Sequence, residues 1–196
     1  MIYFTSDTHF FHNNIIKACN RPFASVEEMN DGLIKNWNNT VSPKDTIYHL
    51  GDFAFCKGDK AIEVVKQLNG HKHLVFGNHD KMFRKNQEFL SFFESFGDIK
   101  EIKLPIDTLR KYSYPMRRKI VMCHYAMRVW NHSHYGSIHL FGHSHNTMKE
   151  SNGLSLDVGV DAWNYKPVSI EEIILKLIKD RCVINQVDYH EWRENE

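Results

Sequence analysis

Short apolar runs, each followed by a polar turn, recur along this chain. They lack helical periodicity and have the length of buried strands. Asp, Asn or His lies in the turn just after five of these runs, which are Ile2–Thr5, Thr46–Leu50, His73–Phe76, Lys119–Met122 and Ser137–Phe141. Because ligands bind at the carboxyl ends of strands in open α/β sheets, we expect the polar residues after these runs to meet in one place.

Four other segments have the spacing of amphipathic helices, with apolar residues three or four positions apart. Capping boxes, in which Ser is followed three residues later by Glu, open two of them at Ser25 and Ser169. The predicted helices follow Ser25 as far as Val41, cover residues 60–69 and 85–96, and follow Ser169 through Leu177. Further strands are predicted at Ile99–Leu104, Leu154–Val158 and Cys182–Val187.

Composition indicates a soluble globular protein. The 196 residues are 42% hydrophobic and 25% charged, and the formal net charge of +1 gives no large field to favour nucleic acid or a membrane. The 4 cysteines are widely spaced, which favours free thiols in a reducing compartment. We find no signal peptide, membrane span, linker or repeat, so we expect one domain over residues 1–196 and a cytoplasmic location.

One segment, residues 105–118, combines positive charge with aromatic rings. Its basic and aromatic residues are Arg110, Lys111, Tyr112, Tyr114, Arg117 and Arg118. Such residues can contact a nucleic acid or a phosphate chain. A solvated hairpin tip explains them as well, and the nearly neutral chain favours that interpretation.

The 13 histidines are the unusual part of the composition. Side chains that can bind a metal follow the five strands, and the candidate ligands are Asp7, His9, Asp52, Asn78, His124, His143 and His145. All offer oxygen or imidazole nitrogen, a set that suits Mn, Fe, Zn or Ni better than a structural thiolate zinc site. This set is too large for one tetrahedral ion, whereas two ions that share Asp52 would use all of it.

The spacing of these residues has a physical reason. Asp7 and His9 are two positions apart on an extended segment, so both side chains point to one side, and the same holds for His143 and His145. Glycines are expected where a strand turns sharply and the backbone comes close to the site, at Gly51, Gly77 and Gly142.

Three further histidines are interpreted without a ligand role. His12 is close in sequence to His9 and is a candidate for the metal site, but a loop histidine is the interpretation we favour. His49 and His139 lie in or beside strands and are interpreted as hydrogen-bonded core histidines.

Asp7-x-His9, Gly51-Asp52, Gly77-Asn78-His79-Asp80, His124 and Gly142-His143-x-His145 together resemble the signature of the calcineurin-like metallophosphoesterases. All five motifs occur in family order between residues 7 and 145, and a chance match of five ordered motifs is rare. The Arg21-Pro22-Phe23 segment and the surroundings of Trp130 resemble the small bacterial and phage branch of that superfamily.

The resemblance implies an α/β fold in which a β-sandwich of two sheets is flanked by helices (α/β/β/α), with the site at one edge. It implies one divalent ion held by Asp7, His9, Asp52 and His145, and a second held by Asp52, Asn78, His124 and His143. It also implies that His79 is the catalytic acid and that Asp80 orients it.

The implied activity is phosphoester hydrolysis, in which hydroxide bridging the two ions attacks phosphorus and His79 protonates the leaving oxygen. The chain lacks a large inserted cap domain, so we expect an accessible site, and we favour a phosphodiester over a monoester. Cyclic nucleotides, other small phosphodiesters, phosphoproteins and nucleic-acid ends are all open as substrates. The alternative is a non-catalytic interaction scaffold of the same fold, against which the presence of His79 and every proposed ligand counts.

Residues near these motifs are candidate substrate contacts, namely Arg21, Arg128, Trp130, His134 and Lys166. Solvated or packing roles explain them equally well. The sequence does not indicate an oligomeric state.

Overall fold

The predicted alternation of strands and helices builds two β-sheets with helices against them. The structure is a computed structural model and describes residues 1–105, 118–148 and 153–184. Its strands are β1 (Ile2–Thr5), β2 (Thr46–His49), β3 (His71–Val75), β4 (Ser95–Gly97), β5 (Ile99–Lys103), β6 (Lys119–Cys123), β7 (Ile138–Phe141), β8 (Ser155–Asp157) and β9 (Val168–Ser169). Its α-helices are α1 (Asn13–Ala18), α2 (Val26–Thr40), α3 (Gly58–Val65), α4 (Gln87–Leu90) and α5 (Ile170–Ile184).

Parallel strands dominate both sheets. The first sheet has the order β4-β3-β2-β1-β9, in which β1 to β4 are parallel and β9 is antiparallel to β1. The second has the order β5-β6-β7-β8, in which β6, β7 and β8 are parallel and β5 is antiparallel to β6. Ser6, after β1, forms a parallel bridge with Gly159, after β8, so the carboxyl ends of the two sheets meet.

Period-two alternation gives the first sheet two buried faces. Ile47 and Leu74 pack on one face with the helices α2 and α3. Tyr48 and Val75, their neighbours in sequence, pack on the other face with the second sheet and α5. The α/β fold of two sheets flanked by helices is therefore confirmed.

Both capping boxes are confirmed. The backbone N–H of Glu28 donates to Ser25 Oγ at 3.2 Å, and that of Glu172 donates to Ser169 Oγ at 3.2 Å. Glu172 also accepts from the Ser169 backbone at 2.9 Å, whereas Glu28 accepts from Ala24. These contacts satisfy backbone donors at the helix starts and fix where α2 and α5 begin.

Two element predictions are wrong. The helix predicted over residues 85–96 is reduced to α4, because the chain then extends as β4 and pairs with β3, leaving Phe96 exposed rather than on an apolar helix face. The strand predicted at Cys182–Val187 is wrong in its first half, because α5 continues as far as Ile184. The rest of that prediction, the basic segment from 106 to 117 and the tail from 190 to 196 lie outside the described residues.

In the described part of the chain, no helix combines the length and the apolar character that a membrane span needs.

Candidate metal centre

The candidate ligands lie just beyond the carboxyl ends of parallel strands from both sheets. Asp7 and His9 follow β1, Asp52 follows β2 and Asn78 follows β3. From the second sheet, His124 follows β6, and His143 and His145 follow β7. The bridge between the segments after β1 and β8 holds these ends against each other, so the expected convergence takes place.

Five of the seven candidate ligands have left-handed backbone conformation. Their φ angles are 57° at Asp7, 49° at His9, 54° at Asp52, 66° at His143 and 46° at His145. Each such residue costs about 1–3 kcal/mol, and strain of this kind concentrates at functional sites. These side chains do lie on one side, but the prediction that Asp7 and His9, and His143 and His145, stand on extended segments is wrong, because left-handed turns direct them into the site.

Asp7, His9 and His145 form one cluster. Their ligand atoms lie within 4.8 Å of one another. Asp7 Oδ1 is 4.0 Å from His9 Nε2 and 3.9 Å from His145 Nε2, so none of these pairs is a hydrogen bond. Asp7 Oδ1 and His9 Nε2 are buried without a hydrogen-bond partner. Buried polar atoms of this kind are costly, and a divalent cation between them would satisfy both.

Asp52, His124 and His143 form the second cluster, again with ligand atoms within 4.8 Å of one another. Asn78 completes it, since its Oδ1 lies 3.0 Å from His124 Nε2. His124 Nδ1 lies 2.8 Å from the Leu50 carbonyl, an arrangement in which Nδ1 donates and Nε2 is left to act as a ligand.

Asp52 lies between the two clusters. Its Oδ2 is 3.5 Å from His9 Nε2 and 3.5 Å from His124 Nε2. Its Oδ1 accepts the His79 backbone N–H at 2.8 Å. The predicted sharing of Asp52 therefore fits the observed positions, and so does the donor set of carboxylate, amide and imidazole groups.

Burial disfavours charge on the side chains of the first cluster, and His124 favours charge on Asp52. Burial raises the pKa of Asp7 to about 7 and lowers the pKa of His9 to about 2. Burial also acts against the charge of Asp52, but the hydrogen bond and positive charge of His124 hold the pKa of this carboxyl well below its usual range. His9 is thus a neutral ligand and Asp52 an ionised one.

The expected close approach of glycine backbone to the site is confirmed. A Cβ at Gly77 would overlap Asp52 Oδ1, and a Cβ at Gly142 would overlap Asp7 Oδ2. Gly51 has φ of 97°, and a Cβ there would overlap the Gly77 backbone. Any larger residue at these positions would push a candidate ligand out of place.

His79 lies at the open side of the centre, and its side chain is 38% exposed. Its Nε2 is 4.0 Å from Asp52 Oδ2. The His79 ring can therefore reach a group bound at the two clusters, although His79 belongs to neither cluster.

The prediction that Asp80 orients His79 is wrong. Asp80 is fully buried, and its carboxylate accepts the backbone N–H groups of Asp52, Phe53 and Gly77 at 2.8–3.0 Å. These three bonds hold the turns after β2 and β3 together, so Asp80 positions Asp52 instead. Burial raises the pKa of Asp80, against the effect of the three donors.

The prediction that Arg21 contacts substrate is also wrong. The side chain is buried, and each of its N–H groups has a partner. It donates to both carboxylate oxygens of Asp161, to the Asp7 and Thr8 carbonyls, and to Met29 Sδ. A guanidinium has five N–H donors, so none is left for a ligand.

Asp161 is a functional residue that the sequence analysis missed. Its Oδ2 lies 2.7 Å from His145 Nδ1, so it fixes the ring with Nε2 facing Asp7. This hydrogen bond raises the pKa of His145, although burial acts in the opposite direction. The signal was present, because Gly159-Val160-Asp161 follows a short strand in the same way as Gly51-Asp52.

The remaining candidate substrate contacts stay predictions, and the structure shows other contacts for three of them. Trp130 is buried, donates from Nε1 to the Ser137 carbonyl and packs on His139. Arg128 and His134 are exposed, and the ring of His134 lies 4.1 Å from that of Tyr135. Lys166 pairs with Glu172 at 3.5 Å.

Of the other histidines, His12 is at the centre, contrary to the interpretation we favoured. Its Nδ1 lies 3.2 Å from His9 Nδ1. His49 and His139 are buried core histidines as expected. His49 contacts Thr8 Oγ1 at 2.9 Å, and His139 accepts the Met127 N–H at 3.0 Å.

Comparisons with known proteins agree with this geometry. A family model described as the calcineurin-like phosphoesterase superfamily domain matches residues 1–160. An uncharacterized protein of Methanocaldococcus jannaschii is 38% identical over 191 residues, covering 95% of this chain and 96% of the relative. The Gene 66 protein of Mycobacterium phage L5 is 28% identical over 195 residues, covering 87% and 91%. The crystal structure of a protein of unknown function from Aquifex aeolicus is 28% identical with a TM-score of 0.67, and the match covers 90% of this chain and 98% of that chain.

Proposed function

Because this chain belongs to the calcineurin-like phosphoesterase superfamily, we propose that it hydrolyses phosphoesters with two divalent ions held on either side of Asp52. Asp7, His9, Asp52 and His145 hold one ion in this proposal, and Asp52, Asn78, His124 and His143 hold the other. The observation that carries it is the position of Asp52 Oδ2, 3.5 Å from a histidine nitrogen of each cluster.

The bound ions, which we take to be Mn, Fe, Zn or Ni, supply Lewis acidity toward the phosphoryl oxygens and lower the pKa of water. The chain's own residues set how strongly they do so. Asn78 is a neutral ligand, so the second cluster cancels less of the positive charge than an Asp in its place would. Asp80 and Asp161 fix the ligands before substrate arrives, which reduces reorganisation during the reaction.

His79 is the proton donor to the leaving oxygen in this proposal. Its ring is accessible, and its backbone N–H is bonded to Asp52 Oδ1, so the ring stays beside the centre. A positioned acid of this kind contributes about 10²–10⁴-fold to the rate.

The proposal favours a diester over a monoester. A phosphate monoester carries an additional negative charge at neutral pH, and binding it calls for a cationic side chain. Among the described residues, Arg21 is a buried cation beside the centre, but its N–H groups already donate to Asp161 and to two backbone carbonyls. We therefore propose a small phosphodiester or a nucleotide as substrate, with a nucleic-acid end as the second candidate.

The test uses protein that has been stripped with a chelator and reloaded with Mn²⁺. We expect turnover of bis-p-nitrophenyl phosphate to exceed that of p-nitrophenyl phosphate, and to disappear without metal. His79→Asn should bind two ions per chain and lose about 10²–10⁴-fold in turnover, whereas His71→Asn, at an exposed histidine of β3, should behave as wild type.

Two results would contradict the proposal. Protein that holds two ions and turns over neither compound would favour a non-catalytic scaffold. Full activity in His79→Asn would show that His79 is not the proton donor, and only the part of the proposal that concerns the two metal ions would remain.

A further inference from the structure

Phe55 is an exposed aromatic residue in a fixed position, shortly after Asp52. Its side chain is 53% exposed. Its backbone N–H donates to the Phe10 carbonyl at 2.8 Å, and the preceding residue forms a bridge with Phe10. The loop that carries the ring is therefore tied to the segment that follows the first metal-binding motif.

The ring of Phe55 is part of the wall of the metal centre. It stacks on His12, with ring centroids 4.3 Å apart and planes 19° apart. It also meets the edge of His79, with centroids 5.5 Å apart and planes 69° apart. His12 in turn contacts His9, so Phe55 is the outermost ring of a series that starts at a candidate ligand.

This arrangement is suited to a planar ligand. His12 covers one face of Phe55, and more than half of the side chain stays in contact with solvent. Aromatic rings associate in offset-stacked pairs, so a third ring can extend the series. Stacking of a base on an aromatic side chain is worth about tenfold to a hundredfold in affinity.

We propose that Phe55 binds an aromatic ring in the alcohol part of the substrate, so that the preferred phosphoesters are nucleotides or aryl esters. This rests on the proposed function, because it takes the phosphoryl group to lie at the ions on either side of Asp52 and the leaving oxygen to face His79. The alcohol attached to that oxygen then lies beside Phe55, the ring that His79 contacts.

Tyr125 offers a contrasting position. It is 48% exposed, and its ring lies 5.1 Å from that of His124 and 4.8 Å from that of His143. It therefore borders the second cluster, whereas Phe55 borders His79 and His9. A substrate ring at Tyr125 would belong to the part of the ester that is not released.

The experiment compares two ligands that differ only by a base. The methyl esters of AMP and of ribose 5-phosphate are both phosphodiesters and share the methyl phosphate and the sugar, and isothermal titration into Mn²⁺-loaded protein measures the binding of both. We expect wild type to bind the AMP methyl ester at least tenfold more tightly. Phe55→Leu keeps an apolar side chain but no ring and should bring the ratio close to one, while Phe55→Trp should retain it.

Phe96→Leu is the matched control, because Phe96 is 50% exposed on β4 and its ring packs on Phe76. This variant should keep the wild-type ratio, and the ribose 5-phosphate methyl ester should bind all variants equally. Equal binding of the two ligands by wild type, or a ratio that Phe55→Leu preserves and Tyr125→Leu abolishes, would overturn the proposal. Hydrolysis of bis-p-nitrophenyl phosphate is scored separately, so loss of the proposed function and loss of the ring-binding role are distinguishable.

Discussion

Removal of the Asp161 carboxylate should damage both the stability of the protein and its affinity for metal. In the folded chain this carboxylate accepts from Arg21 Nε at 2.9 Å and Nη2 at 2.8 Å, and lies 2.7 Å from His145 Nδ1. Asp161→Ala would leave the buried guanidinium with two unpaired N–H groups and no counter-charge. It would also leave the ring of His145 without the partner that sets its orientation.

The magnitude follows from the burial of the pair. The Arg21 side chain is fully buried, so its charge stays out of water when its partner is removed. Breaking a buried ion pair on one side costs about 3–5 kcal/mol, which corresponds to a fall in Tm of about 10 °C for a chain of this size. Loss of a carboxylate behind a ligating histidine weakens metal binding by about 10–100-fold.

The assay is urea unfolding of metal-free protein, together with a Mn²⁺ titration of the folded protein. Asp98→Ala is the matched control, because Asp98 pairs with both terminal nitrogens of Arg84 at an exposed position. This exposed pair should contribute less than about 1 kcal/mol and should not affect metal affinity. Equal stability losses in the two variants would refute the argument from burial, and an unchanged Mn²⁺ affinity in Asp161→Ala would refute the positioning of His145.

Three more predictions concern the carboxylates of the centre. Asp52→Asn should lower occupancy of both ions, which metal analysis would show, and two tightly held ions per chain would contradict the sharing of Asp52. Asp80→Asn would turn an amide N–H toward a backbone N–H that the carboxylate now accepts, so urea unfolding should show that the free energy of unfolding falls by about 2 kcal/mol. Unchanged stability would count against the role of the three hydrogen bonds that Asp80 accepts. In metal-free protein, burial raises the pKa of Asp7 from 3.8 to about 7. Between these pH values the folded protein keeps a proton on Asp7 that the unfolded chain has released, so the free energy of unfolding should fall as pH rises from about 4 to about 7. Thermal unfolding in chelator should show this slope in wild type and not in Asp7→Asn.

The strands that carry the site could be predicted because local pattern and tertiary role agree there. The run from Thr46 is short and largely buried, as expected for a strand covered on both faces, and Gly51 and Asp52 mark its end clearly. The segment around Phe89 to Phe96 was misassigned because its apolar residues suit a helix face, while pairing with β3 decides the conformation of the last of them. Long-range pairing of this kind leaves no periodic signal in the segment itself.

The convergence of the candidate ligands could be predicted, but the residues that surround them could not be assigned correctly. Arg21 and Asp161 are 140 positions apart, and neither has a local partner that would indicate a buried ion pair. Asp80 sits next to His79 in sequence, which suggested a shared role, although its carboxylate turns toward the backbone of another loop. The left-handed backbone at five of the candidate ligands is a conformation that the motifs do not describe.

Because the site lies where the carboxyl ends of the two sheets meet, it can form only late in the synthesis of the chain. Asp7 and Asp52 emerge early from the ribosome, yet His145 and the carboxylate behind it are among the later residues of the centre to be synthesised. Domains fold as their chains emerge, and a centre built across both sheets cannot exist while the second is still being translated. On the proposed function, loading with cations would therefore follow synthesis and would depend on the metal supply that the finished protein meets.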